Sequence, residues 1–84
     1  MTIKEANVLL SVLRDKQELA QYQQCTDKKK LDELKPFFAD GTATEKDRET
    51  AQMLEEQMRD RKFKIETLQD AINVIENREF AVTL

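Results

Sequence analysis

The stretch Lys35-Pro36-Phe37-Phe38-Ala39-Asp40-Gly41-Thr42-Ala43-Thr44-Glu45 holds the only proline and the only glycine of an 84-residue chain, and it divides the sequence in two. Pro36 lacks a backbone donor and disfavours helical dihedrals at Lys35. Asp40-Gly41 is a turn signal, because glycine takes positive φ without a Cβ clash. Thr42 with Glu45 has capping-box spacing for a new helix, and Thr44 with Asp47 offers a rival start two residues later. A turn over 36–43 is the expectation, with a helix on either side of it.

Upstream of the turn, Thr2 and Glu5 form another capping-box pattern, so a first helix is predicted over about 3–35. Ile3, Ala6, Leu10, Leu13, Ala20, Leu31 and Leu34 fall on one helical stripe, which also passes through Gln17, Gln24 and Asp27. Those three are polar breaks in the seam. A second apolar edge runs through Val8, Leu9, Val12, Leu19 and Tyr22. Thr26-Asp27-Lys28-Lys29-Lys30 reads either as a kink or as helix carried through by Lys28–Asp32 and Lys29–Glu33 pairs. Continuity gives a two-helix hairpin. A break near Asp27 gives a three-helix arrangement.

Downstream the pattern is cleaner. Ala51, Leu54, Met58, Ile65, Leu68, Ile72 and Ile75 keep heptad-like spacing with Arg61 as the one polar interruption. Glu55–Arg59, Asp60–Lys64 and Lys62–Glu66 are i,i+4 pairs for the outer faces. A second helix is predicted over about 44–78, followed by a tail over 79–84. Val82-Thr83-Leu84 in that tail has the composition of a strand that adds to a partner's sheet edge. Helices of ~48 and ~53 Å joined by one short connection imply an antiparallel, coiled-coil-like hairpin within one all-α domain. Phe37 and Phe38 are expected to plug its closed end.

Composition narrows the function. The chain has no histidine, so neither an imidazole base nor a histidine metal ligand is available, and its single glycine cannot build a phosphate-cradling loop. One cysteine, Cys25, allows no internal disulfide and reads as a small apolar filler in a reducing cytoplasm. No catalytic residue, metal site, cofactor or small-molecule substrate is expected. The N-terminus has no signal-like apolar region and no run approaches a membrane span. A net charge of −3 supplies no strong field toward nucleic acid or lipid.

Protein association is left as the leading reading. Each helix carries more apolar surface than a single seam hides, and Leu9, Val12, Leu19, Tyr22, Met53, Phe63 and Val74 form the surplus, with Ala71 beside it. Burying a Leu- or Phe-sized side chain is worth ~1.5–3 kcal/mol, so these seven are the candidate partner-binding residues of a chaperone, adaptor or assembly factor, or of a homo-oligomer. A competing reading is a nucleic-acid-associated regulator using Lys28, Lys29 and Lys30, whose field Asp27, Asp32 and Glu33 would offset. A third is a small helical enzyme that holds a dicarboxylate with helix-borne cations, as chorismate-mutase-like dimers do. Arg14, Lys28, Arg48 and Arg61 are the cations available, at spacings that do not match that family. Arg61 more simply packs its stem in the seam and pairs with an acid there.

Overall fold

In the computed structural model, which describes residues 1–77, Thr2 sits in extended geometry and caps the first helix, α1, spanning Ile3–Ala39. Its Oγ1 accepts from the Glu5 backbone N–H at 3.1 Å, satisfying one of the donors a helix start leaves free. The helix does not break at Asp27. It runs unbroken for 37 residues, so the three-helix alternative is overturned. Asp27 does not cap anything, because its carboxylate is buried and engaged across the seam.

The end of α1 differs from expectation. Helix continues past Lys35 and includes Pro36, which was expected to end it. The lost donor at Pro36 removes one hydrogen bond near the helix end, while the turns that follow are well anchored. Asp40 N–H donates to the Pro36 carbonyl at 3.1 Å, and Thr42 and Ala43 N–H both donate to the Phe37 carbonyl, at 2.9 and 3.0 Å. Gly41 follows at φ +76°, the left-handed conformation of a Schellman-type stop. The Thr42 hydroxyl and N–H both donate to the Asp40 carboxylate, which holds that carboxyl below its ordinary pKa.

Thr42 is thereby used in the turn, and the second helix, α2, takes the rival start. It spans Glu45–Asn77. Asp47 N–H donates to Thr44 Oγ1 at 3.1 Å and Thr44 N–H donates to Asp47 Oδ2 at 3.0 Å, a reciprocal capping box. The predicted end at Arg78 and the tail over 79–84, with its strand-addition reading, lie outside the described residues.

The helices pack as an antiparallel hairpin in a rod of 63 × 15 × 14 Å. Every position of both predicted stripes lies inside the seam, buried or half-buried, the polar breaks included. Ala6, Ala20, Ala51, Leu54, Ile72 and Ile75 are its most buried apolar members. None of the large side chains among the described residues is wholly sealed from solvent, because two rods can enclose a strip and not a volume.

Phe37 and Phe38 do not plug the closed end; both stand about half exposed. Adjacent helical residues point about 100° apart, so the two rings cannot share one seam. Phe38 continues the stripe of Leu31 and Leu34, but it borders Arg48, Ala51, Gln52 and Glu55 of α2, which leave an open concavity beside its ring. The i,i+4 ion pairs expected on the outer faces are likewise not among the salt bridges of the described residues. Asp32 pairs with Lys35 at 2.9 Å instead, nearly one turn onward along the helix, and the hydrogen bond from the Lys35 ammonium lowers the Asp32 pKa.

Candidate protein-binding surface

Three polar layers cross the seam and set its register. Near the open end Arg14 pairs with Glu76, and Gln17 Nε2 donates to Gln69 Oε1 at 2.8 Å. At mid-length Arg61 Nη1 donates to Asp27 Oδ2 at 2.7 Å and to Gln24 Oε1 at 3.1 Å, while Gln24 Nε2 donates to the Met58 carbonyl at 2.7 Å. The Arg61 and Asp27 side chains keep only 17% and 11% of their exposure. Arg61 therefore does what its place on the stripe implied, with Asp27 as its acid. Which acid it would take was not evident from the sequence. Spacing alone does not pair them, because Asp27 lies 14 residues before Gly41 and Arg61 lies 20 residues after it.

That seam leaves the candidate residues outside. Leu9, Val12, Leu19, Tyr22, Met53, Phe63 and Val74 are all exposed, with Tyr22 at 71% and Phe63 at 72%. Their arrangement differs between the helices. On α1, Val8, Val12, Leu19 and Tyr22 lie on one line at heptad spacing, nearly opposite the seam, with Leu9 at its edge and Met1 just ahead of the helix. Glu5 and Asp15 are the acids on that line. A shallow apolar concavity at its upper end is lined by Lys4, Glu5, Val8, Leu9 and Val12. On α2, Met53, Phe63 and Val74 are separated by ten and eleven residues, or about 15 Å each, so they stand singly. Ala71 is half-buried and adds little. The surplus residues on α1 thus form a second heptad stripe, where their sequence spacing had implied only an apolar edge.

The other candidates are dispersed. Lys28, Lys29 and Lys30 are exposed and splay around one turn. Of the acids expected to offset them, Asp27 pairs with Arg61 across the seam, while Asp32 bonds Lys35 and also feels the Lys28 charge. Arg14, Lys28, Arg48 and Arg61 do not converge. Arg14 is held by Glu76 and Arg61 by Asp27, and Arg48 borders a concavity of about 310 Å³ at the turn end with Leu31, Lys35 and Phe38. Cys25 is exposed, not a buried filler. It lies outside the seam, one heptad beyond Glu18.

Among the described residues no cluster of three or more potential metal-ligating His, Cys, Asp or Glu side chains occurs, and no helix is long and apolar enough to cross a membrane. Neither a protein family, a curated protein nor a solved structure matches the chain.

Proposed function

We propose that this chain is a non-enzymatic protein-interaction module, a small chaperone, adaptor or assembly factor, that binds protein surfaces through the outer apolar positions of a helical hairpin. One observation carries the reading: the folded hairpin leaves Leu19 at 58%, Tyr22 at 71% and Phe63 at 72% exposure. Side chains of that size left in water are costly and adhesive, and contiguous apolar patches on small proteins commonly mark contact surfaces. Buried polar pairs in the seam suit the same role. They define one register for the rods, so the outer faces are presented in a fixed arrangement. The exposed thiol of Cys25 suits a reducing compartment, and the cytoplasm is the proposed location.

The test uses the double variant Leu19→Asp/Phe63→Asp. Immobilised wild-type chain should retain its own kind or proteins of its host in a saturable way, and the double variant should lose them with its helicity intact. Identical mass and identical retention for the two chains would remove the proposal.

A further inference from the structure

The outer stripe of α1 is self-complementary, and we infer that its partner is a second copy of this chain, docked antiparallel about a two-fold axis near Ser11. This inference rests on the interaction reading above and adds the occupant, the face and the register.

The choice between the two outer faces is electrostatic. On α2 the line through Met53, Phe63 and Val74 also carries the exposed acids Glu49, Glu56, Asp60 and Asp70, against Lys46 as its one cation. Two copies meeting there would press like charges together, each contact unfavourable. The α1 line carries only Glu5 and Asp15 and is flanked by Lys4 and Lys16. Its apolar residues keep the 3–4 alternation of a coiled-coil seam, so a second helix can follow it along its length.

Register follows from the flanks. Lys4 and Glu18 stand one heptad on either side of Ser11, on the same edge of the stripe. Antiparallel pairing about Ser11 sets Lys4 of each copy beside Glu18 of the other, twice over. The same register packs Val8 against Val12 in both directions, brings Leu9 against its counterpart, and sets Leu19 against Met1. Five apolar side chains per copy at roughly 100 Å² each give on the order of 1,000 Å² in total, the size at which specific interfaces begin. Glu5 then faces Asp15 of the other copy, an opposing term that keeps the dimer reversible.

Mass should be read by sedimentation equilibrium at neutral pH over a range of concentrations. The expected result is a reversible transition from 9.9 kDa to twice that mass. Val12→Asp should abolish the dimer and Phe63→Asp should leave it. Lys4→Glu and Glu18→Lys should each weaken it roughly two- to ten-fold, and the double swap should restore it. Asp15→Asn should tighten it roughly two- to five-fold. In a Cys25→Ser background, Ser11→Cys should form a disulfide between copies under mild oxidation, and Gln21→Cys, outside the stripe and ten residues from the axis, should not. A monomer at every concentration overturns the inference, as does a dimer that survives Val12→Asp or is lost with Phe63→Asp. A monomer that still retains a host protein, lost on Leu19→Asp/Phe63→Asp, sinks the second copy alone; a monomer that retains nothing sinks both readings.

Discussion

Asp27 and Arg61 face each other across a seam that is otherwise closed mainly by alanine, leucine and isoleucine, and their removal should be asymmetric. Taking away one member leaves the other charge buried without its partner, whereas replacing both with apolar groups of similar volume removes the desolvation cost as well. Asp27→Ala is therefore expected to cost about 2–4 kcal/mol in urea unfolding, and Asp27→Leu/Arg61→Met to match or exceed the wild type. A single substitution costing under about 1 kcal/mol would mean that water reaches the guanidinium well enough to replace the carboxylate. The pair was only half legible in the sequence. Both residues could be placed on their stripes, because a stripe needs nothing but spacing within one helix. Their partnership could not, because it depends on the offset between helices, and that offset depends on how the turn is closed.

At the turn, spacing within a helix does not decide which residues cap. Two threonines offered equivalent caps, and the choice went to Thr44 because the Asp40 carboxylate takes both donors of Thr42. Pro36 was read as a stop on its local cost alone. The carbonyls just beyond it are capped by the turn, and a helix tolerates one missing bond when its last turn is held from the far side. The strain should still be measurable. Pro36→Ala restores a donor and relieves the ring's crowding, worth ~3 kcal/mol in a helix interior, against ~1 kcal/mol of chain entropy that proline removes from the unfolded state. The expected outcome is a gain of about 1–2 kcal/mol. Gly41→Ala should go the other way by about 1 kcal/mol, since φ +76° penalises a Cβ even though open space surrounds it. If both substitutions leave the thermal midpoint unchanged, the end of α1 is frayed in solution and the capping account fails. Heptad spacing, by contrast, was legible throughout both helices, polar breaks included, because 3–4 periodicity survives any error in helix ends.

At the scale of the whole molecule, a rod of 63 × 15 × 14 Å has a Cα radius of gyration of 18.7 Å, where a globule of this length would have roughly 12 Å. So open a shape exposes a large share of its side chains, and a second copy can relieve that exposure in geometrically distinct ways. Two hairpins laid fully alongside each other would make a thick bundle no longer than one of them. Pairing about Ser11 is different: Ser11 lies near the open end, so the two closed ends point away from each other. From the axis to the turn is close to 30 residues of helix, or about 45 Å, which makes the dimer about 90 Å long. Small-angle scattering at a concentration where the dimer dominates separates these shapes directly. A maximum dimension near 90 Å is the expected outcome, with a thermal midpoint that rises with protein concentration as mass action requires. A dimer that scatters as a particle of the single hairpin's length would place the contact along the middle of the rod, where Lys16, Gln23 and Lys64 crowd the surface, and would contradict an axis at Ser11.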